Sequence, residues 1–252
     1  MAVEKGSGEK VAGYPKLLMD RPRHYCPGCS HGVLHRLLAE VFGEMGIERD
    51  VVGVSSIGCS ALIYQYLDVD FVSAPPGKAP AVATGLSREL PGKIVFTYQG
   101  DGDLASSGLS ELIHAALRGE RLTVLCLNNL TFGMSGGQIS PTSLLGQKTT
   151  SAPQGKQLKG GGTSLRLVDL LSPMAGVTYL ARATLHSPAQ VRKAKLLLKR
   201  AFSNHLYNGG LSFIELIGLC PTHWGLTPFE ATQWVKDQVT PFFPVEEMKV
   251  SI

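Results

Sequence analysis

The stretches KIVFTYQGDGD (residues 93–103) and LTVLCLNN (residues 122–129) decide the fold of this chain. Each is an apolar, β-branched run that ends in polar residues, which predicts buried strands at 93–99 and 122–127. Between them, residues 109–116 carry apolar side chains at helical spacing. A strand, a helix and a second strand form a βαβ unit, and continuous apolar strands are typical of a parallel sheet covered on both faces.

The rest of the chain repeats the same alternation and predicts an α/β fold with helices on both faces of a parallel sheet. Further helices are predicted at 33–45, 80–90, 188–207 and from 168, and further strands at 51–55, 178–183 and 211–217. Residues 133–163 are rich in Gly, Ser, Thr and Pro and show little periodicity. Loops of that length are usually functional or disordered.

Composition excludes several classes of protein. With 252 residues, 44% hydrophobic and 17% charged, the chain is expected to form one soluble core domain with extensions. The net charge of +4 is mild and comes without a basic arm, so no nucleic-acid partner is expected. No apolar run is long enough to span a bilayer and the N-terminus lacks the apolar segment of a signal peptide. We therefore expect a cytoplasmic protein without a membrane partner.

Polar residues follow two of the predicted strands at the sheet edge where ligands of open α/β sheets bind. Gly100 and Gly102 allow close backbone approach to an anion, and the helix expected after Asp103 directs its free N–H groups toward it. A diphosphate beside Asp101 requires an intervening cation. Mg²⁺ suits oxygen ligands such as the Asp101 carboxylate, the Asn129 amide oxygen and a backbone carbonyl.

GDG followed after one helix and one strand by Asn-Asn resembles the signature of thiamine-diphosphate enzymes. GDG alone is most often a turn, so the resemblance depends on the second element at this spacing. It implies a thiamine-diphosphate-binding fold in which Asp101, Asn129 and the carbonyl of Thr131 hold Mg²⁺.

Five cysteines in a cytoplasmic chain favour metal, cluster or catalytic roles over disulfides. Cys26 and Cys29 form a CxxC on a loop before the first helix, which alone fits a redox pair, half a zinc site or half a cluster site. Cys59 and Cys220 each follow a predicted strand. Two close cysteines and two distant ones match four thiolates gathered from three loops, as a 4Fe-4S cluster needs. We interpret Cys126, inside a strand, as a buried apolar residue.

The ordered set of CPGC, IGCS, GDGD, Asn-Asn, TFGMSGGQ and a late Cys-Pro resembles the β subunit of 2-oxoacid:ferredoxin oxidoreductases. The resemblance covers residues 21–225, which we treat as the cofactor domain between a polar tail (1–20) and a C-terminal extension (226–252). It implies that Cys26, Cys29, Cys59 and Cys220 hold a 4Fe-4S cluster beside the thiamine.

The same resemblance implies a set of contacts to the thiamine cofactor. They are Ile57, Gly58, Cys59, Ser60, Gly77, Gly100, Gly102, Asp103, Asn129, Gly133 and Met134. One departure concerns Pro76-Gly77-Lys78, where relatives often have His-Gly-Arg. The absence of that histidine puts its polar contact to cofactor or substrate in doubt, whereas we expect the backbone approach at Gly77 to be retained.

The implied reaction converts a 2-oxoacid, CoA and oxidised ferredoxin into acyl-CoA, CO₂ and reduced ferredoxin. No glutamate of this chain can be assigned to the aminopyrimidine, so a separate α subunit is expected to supply it, with γ and δ subunits in the same complex. Leu62 and Gly136 stand where relatives that use 2-oxoglutarate often carry Lys. An apolar lining favours a branched-chain substrate, because a dicarboxylate would bury an unpaired charge.

Two other functions stay open on the sequence alone. A non-redox thiamine decarboxylase or synthase subunit would keep GDGD and Asn-Asn but give the cysteines no common role. A zinc-stabilised scaffold subunit would use the cysteines without thiamine. The roles of His31 and His223, and of the basic face of the 188–207 helix, are also undecided: that face is either solvated or a docking surface for an acidic partner.

Overall fold

The computed structural model describes residues 13–207 and 209–250, so residues 1–12 of the expected polar tail lie outside the described residues. Seven strands form one sheet in the order β2-β1-β3-β4-β6-β5-β7. They are β1 Val51–Ser55, β2 Asp70–Ser73, β3 Ile94–Gly100, β4 Leu122–Asn128, β5 Val177–Thr184, β6 Leu211–Ile217 and β7 Glu246–Val250. All neighbouring pairs are parallel except β5 and β7. The predicted fold class is confirmed.

Helices of very different length connect these strands. They are α1 His31–Met45, α2 Ala79–Glu89, α3 Leu109–Arg118, α4 Leu158–Gly161, α5 Leu167–Leu171, α6 Pro188–Tyr207, α7 Pro221–Trp224, α8 Pro228–Trp234 and α9 Thr240–Phe242. A 3₁₀ segment spans Gly58–Gln65, and two π-helical turns span Asp103–Ser107 and Val235–Val239.

Alternation along the strands produces one core on each face of the sheet. On β3, Phe96 packs with residues of α1 and α6, whereas its neighbour Val95 packs with residues of α2, α3 and α5. Successive side chains of a strand point to opposite faces, so a fully apolar strand requires cover on both sides. The continuous apolar runs in the sequence correspond to this double burial.

The order of the strands creates a crevice between β1 and β3. After β1 the chain moves outward to β2, and after β3 it moves in the other direction to β4. Loops that leave two adjacent parallel strands in opposite directions open a crevice at the carboxyl ends, where ligands of such sheets bind. The residues that follow β1 and β3 are Ile57–Ser60 and Asp101–Asp103.

The sequence did not predict β2 and β7. The side chains of β2 are mostly exposed, so the strand has no apolar signature, and β7 has the charged sequence EEMKV. Both are edge strands, which are commonly short or charged. A further difference is that the helix expected after Asp103 already begins at Asp101.

The C-terminal extension packs on the cofactor domain. Val235, Val239 and Phe243 are buried together with Leu130 and Leu219, and β7 pairs with β5. The boundary at residue 225 stays a prediction, but the segment beyond it contributes to the same sheet and to a third core.

The basic face of α6 is partly neutralised within the chain. Lys195 forms ion pairs with Glu40 and Glu44 of α1, at 2.7 and 2.5 Å. Lys199 also pairs with Glu44, and Arg200 pairs with Glu247 of β7. Much of this charge therefore attaches α6 to its neighbours. None of the helices in the described ranges is long and apolar enough to cross a membrane.

Candidate functional site

A cavity opens at the carboxyl ends of β1, β3 and β4. It is lined by His31, Ile57, Gly58, Cys59, Ser60, Gly100, Gly102, Asp103, Asn129, Thr131, Phe132, Gly133, Met134 and Ser135. All the predicted cofactor contacts except Gly77 line it. Phe132 and Ser135 lie in the TFGMSGGQ motif but were not predicted as contacts, and the role of His31 was left undecided by the sequence.

Gly77 supports the cavity from behind. Its backbone N–H donates to Asp103 Oδ1 at 2.7 Å, and Gln99 Nε2 donates to Asp103 Oδ2 at 2.6 Å. A Cβ at Gly77 would lie 2.3 Å from the backbone of Ser107, and the φ angle is +74°. Only glycine fits such a position. Burial raises the pKa of Asp103, while these hydrogen bonds act in the opposite direction.

Asp101 is completely buried. Its Oδ2 accepts hydrogen bonds from Ser140 Oγ and Thr142 Oγ1, both at 2.5 Å, and its Oδ1 accepts one from the Asn129 backbone N–H at 3.2 Å. Burial nevertheless raises the pKa of this carboxyl to about 6. The serine and threonine belong to the long polar loop, where hydroxyl residues are too common to mark a site by sequence.

Three oxygen atoms meet beside Asp101. The amide oxygen of Asn129, as oriented, lies 2.9 Å from Asp101 Oδ1 and 2.8 Å from the carbonyl oxygen of Thr131. Rotation of the amide would convert both contacts into hydrogen bonds. Carboxylate, amide and carbonyl oxygens are the ligand types that Mg²⁺ prefers. The donor types that converge here therefore fit this cation.

A second cavity adjoins the first and collects the four predicted cluster ligands. It is lined by His24, Tyr25, Cys26, Cys29, Cys59, Asn129, Gly133, Met134, Cys220, Pro221 and His223. The Sγ atoms of Cys59 and Cys220 lie 3.5 and 3.7 Å from the point that a Cβ on Gly133 would occupy. In the described ranges, no three His, Cys, Asp or Glu side chains are grouped to hold a single metal ion.

Hydrogen bonds hold the three cysteine loops together. Tyr25 Oη, beside the CxxC, donates to the carbonyl oxygen of Cys59 at 3.0 Å. Ser30 Oγ accepts from the backbone N–H of Leu219 at 2.8 Å, which joins the CxxC loop to the segment before Cys220. Gly28 has a φ of +79°, and a Cβ there would lie 2.8 Å from Pro228. The close approach of these loops requires glycine at this position.

The thiols of Cys29, Cys59 and Cys220 are electrostatically costly to ionise without a cation. Burial is the main cause that raises the pKa of Cys29 to about 11 and of Cys220 to about 12, and it also raises that of Cys59. The neighbouring cysteines add to each shift. A positively charged group bound between them would reverse this balance, because a metal stabilises the thiolate. Cys126 is buried inside β4, as predicted.

Two histidines occupy different parts of the site. His31 is buried and hydrogen-bonds through Nδ1 to the hydroxyl of Tyr98, and burial lowers its pKa to about 3. It is therefore a neutral wall of the first cavity. His223 lines the cysteine cavity, and a Cβ on Gly137 would lie 2.7 Å from its Nδ1. This contact packs the Gly-rich loop of residues 133–163 against the segment after Cys220.

Comparisons with known proteins agree with this architecture. Residues 56–216 match the family described as thiamine pyrophosphate enzyme, C-terminal TPP binding domain. Ketoisovalerate oxidoreductase subunit VorA from Methanothermobacter thermautotrophicus is 39% identical over 226 residues, covering 90% of this chain and 47% of that protein. The chain thus spans about half the length of this relative.

For two further proteins, the match to this chain covers a larger share of the other protein's length. 2-Oxoglutarate synthase subunit KorB from Methanocaldococcus jannaschii is 37% identical over 207 residues, covering 81% of this chain and 72% of that protein. The solved 2-oxoglutarate:ferredoxin oxidoreductase from Magnetococcus marinus has the same fold, with a TM-score of 0.80 at 22% identity over 100% of this chain and 89% of that chain. The chain therefore belongs to the thiamine pyrophosphate enzyme family, among the subunits of 2-oxoacid oxidoreductases.

Proposed function

We propose that this chain binds thiamine diphosphate, Mg²⁺ and a 4Fe-4S cluster as the β-type subunit of a 2-oxoacid:ferredoxin oxidoreductase. One observation carries the proposal: the cavity at the sheet edge and the cysteine cavity share Cys59, Asn129, Gly133 and Met134 as common walls. Electron transfer from a cofactor to a cluster requires the two groups to lie side by side.

Asp101, Asn129 and the Thr131 carbonyl are the proposed ligands of Mg²⁺. The side-chain amide of Asn129 contacts both Asp101 Oδ1 and the carbonyl oxygen of Thr131, so the three groups converge. Gly102 lies in the first turn of the helix beside them, and a Cβ there would lie 2.6 Å from the ring of Phe132. The helix N-terminus directs positive potential toward the phosphates, which complements the cation.

Cys26, Cys29, Cys59 and Cys220 are the proposed cluster ligands. They come from three loops and line one cavity. A reducing compartment such as the cytoplasm suits four free thiols in one site.

Bound thiamine diphosphate would supply the decarboxylating chemistry, with CoA as acyl acceptor and ferredoxin as electron acceptor. This chain orients the cofactor and excludes water from its inner side. No glutamate is among the residues that line the described cavity. We therefore propose that a partner subunit supplies the acid for the aminopyrimidine, and that γ- and δ-type subunits complete the complex.

The proposed substrate is a branched-chain 2-oxoacid. The outer wall of the cavity consists of Ile57 and Met134, and no Lys or Arg is among its lining residues in the described part of the chain. A dicarboxylate would find no cation in this wall, and unpaired buried charge is costly. The similarity to ketoisovalerate oxidoreductase subunits, at 39 and 40% identity, supports the same choice.

The deciding experiment is anaerobic purification of the full chain, followed by analysis of iron, acid-labile sulfide and zinc, and by EPR after dithionite reduction. We expect about four iron and four sulfide per chain, with Cys220→Ala losing them and Cys126→Ala retaining them. Cys126 is a matched control because its thiol is buried outside the cysteine cavity. Zinc without sulfide, or thiamine binding without iron, would overturn the electron-transfer part of the proposal.

A second measurement tests the substrate. The complex reconstituted with an α-type partner is assayed for kcat/KM with 3-methyl-2-oxobutanoate, pyruvate and 2-oxoglutarate. The proposal expects the branched-chain acid to have the highest value. A preference for 2-oxoglutarate would contradict it and would indicate that a partner subunit supplies the cation.

A further inference from the structure

A row of buried polar side chains crosses four neighbouring strands, near the carboxyl ends of three parallel strands and the amino end of the antiparallel edge strand. It runs from Asn128 on β4 through Glu215 on β6 and Arg182 on β5 to Glu246 on β7. The first three have no exposed surface. Buried ion pairs of this kind are weak stabilisers, since apolar residues of similar volume often serve stability equally well. We therefore considered a role other than stability for the row.

Every polar atom at the centre of the row has a defined partner. Glu215 Oε1 accepts from Asn128 Nδ2 at 2.7 Å, and Glu215 Oε2 accepts from Arg182 Nε at 2.6 Å. Arg182 also donates to Glu246 at 2.7 Å and to Asp169 at 3.1 Å. Because the guanidinium fixes Glu215, the carboxylate presents a fixed acceptor to the Asn128 amide.

The other end of the row reaches the proposed metal-binding turn. Asn128 Oδ1 accepts a hydrogen bond from the backbone N–H of Leu130 at 3.0 Å. Leu130 has a φ of +56°, and no other non-glycine residue in the described ranges has a positive φ. That conformation is unfavourable for an L-residue and persists only where its surroundings hold it.

The position of Leu130 explains why its conformation matters. Leu130 separates Asn129, whose side-chain amide contacts Asp101, from Thr131, whose carbonyl oxygen contacts the same amide. If Leu130 relaxed to a negative φ, the amide and the carbonyl would no longer converge. The Asn128 amide can hold the turn only in one orientation, with nitrogen toward Glu215 and oxygen toward Leu130.

We propose that Glu215 and Arg182 are positioning residues for the metal and cofactor site, acting through Asn128 on the Asn129–Thr131 turn. Neither residue is among those that line the two cavities. The inference rests on the proposed function, because the turn is taken as the Mg²⁺ site. It assigns the buried charges of β5 and β6 to the proposed reaction rather than to folding.

The test uses the full chain with the substitution Glu215→Gln. The glutamine amide has a single oxygen, so it cannot accept hydrogen bonds from Asn128 and Arg182 with two separate oxygens, as the carboxylate does. Mn²⁺ is titrated by EPR in the presence of thiamine diphosphate, as a probe of the metal site. We expect affinity to fall roughly 10–100-fold, the range seen when partners of metal ligands are removed. Hydrogen exchange of the 128–131 amides, measured without metal or cofactor, is expected to accelerate.

The matched control is Arg200→Met, which removes the ion pair between α6 and Glu247 of β7 but leaves the row intact. It should retain both Mn²⁺ affinity and slow exchange. If Glu215→Gln does not fold, the double variant Arg182→Met/Glu215→Met replaces it, since paired apolar replacement of a buried ion pair generally preserves folding. The double variant is expected to show the same losses.

The outcomes separate the inference from the proposed function. Wild-type affinity and unchanged exchange in either variant would overturn the positioning role. Failure of the wild-type chain to bind Mn²⁺ with thiamine diphosphate would instead overturn the proposed metal site. In that case the exchange measurement still decides whether Glu215 and Arg182 hold the turn.

Discussion

The hydroxyl of Thr142 donates a hydrogen bond to Asp101 Oδ2 across 2.5 Å, although 41 residues separate them in the chain. Ser140 Oγ donates to the same oxygen. Both hydrogen bonds lower the pKa of a carboxyl that burial raises to about 6. The long polar loop therefore returns to the end of β3 and helps to keep Asp101 ionised at neutral pH, which a metal ligand needs.

Replacement of Thr142 tests this support directly. Thr142→Val should weaken binding of Mg²⁺ with thiamine diphosphate about tenfold or more, because a hydrogen bond to a charged group contributes about 1.5–3 kcal/mol. Isothermal titration calorimetry measures the change. Thr150→Val is the control, because that exposed threonine lies in the same loop. Equal affinity in the two variants would show that the loop hydroxyl does not support Asp101.

Lys156 holds the same loop in shape. Its side chain is 1% exposed, and Nζ donates to the carbonyl oxygens of Pro141, Ser143 and Thr163 at 3.0, 2.9 and 3.2 Å. Lys156→Met leaves these carbonyls without their ammonium donor, at a cost of about 1–3 kcal/mol for a buried group. We expect faster hydrogen exchange across residues 139–165.

Lys159→Met is the matched control, since Lys159 is exposed three residues later in the same loop. It should leave exchange unchanged. Similar exchange in both variants would mean that backbone turns alone maintain the loop.

The stability of the chain should depend on pH through His205. This buried residue hydrogen-bonds through Nδ1 to Thr123 Oγ1, and burial lowers its pKa to about 4. The unfolded chain binds the proton more readily, so the free energy of unfolding is greatest above pH 6.5 and falls as pH decreases toward 4. The loss is roughly 1–1.5 kcal/mol at pH 5.5.

Urea unfolding of wild type and of His205→Gln, at pH 7.5 and 5.5, measures this contribution. The variant should lose less stability between the two pH values, because Gln does not titrate. His31 and His35 are also buried with lowered pKa values, and they contribute the same sign in both proteins. An identical pH dependence in wild type and variant would contradict the assignment to His205.

Gly77 is the predicted cofactor contact that does not line the cavity, and its replacement is a further test. Gly77→Ala would place a methyl group 2.3 Å from the backbone of Ser107 at a φ of +74°. The displaced loop would lose its hydrogen bond to Asp103. We expect a loss of at least about 1 kcal/mol of stability together with weaker thiamine diphosphate binding. Gly92→Ala is the control, because φ is +87° there but no atom lies near the added methyl group. It shows the effect of backbone strain without the displacement of a neighbouring loop.

Much of the site was predictable because its chemistry is local. Asp101 and Asn129 directly follow strands whose apolar runs are plain in the sequence, and parallel strands bring their carboxyl ends to one edge. The cysteines stand out by residue type. Their grouping in one cavity agrees with the prediction, whereas their ligand roles stay predictions.

Some elements could not be predicted because they have no local signature. The edge strands β2 and β7 are exposed or charged, so they lack the pattern of a buried strand. Ser140 and Thr142 are two hydroxyl residues among many in a polar loop. The folding of this loop back onto the end of β3 brings them to Asp101, and no repeating pattern in the sequence indicates that contact.

The sequence by itself determined the sheet, its carboxyl edge and the residue types that meet there, because these follow from apolar periodicity and from side-chain chemistry. Only the tertiary structure decided which distant groups hold that edge in shape. Glu215 and Arg182 are ordinary charged residues in the sequence, and register between β4, β6 and β5 makes them a buried row behind Asn128. The physical reason is that hydrogen-bond partners across a sheet are set by strand order, which nearby residues do not encode.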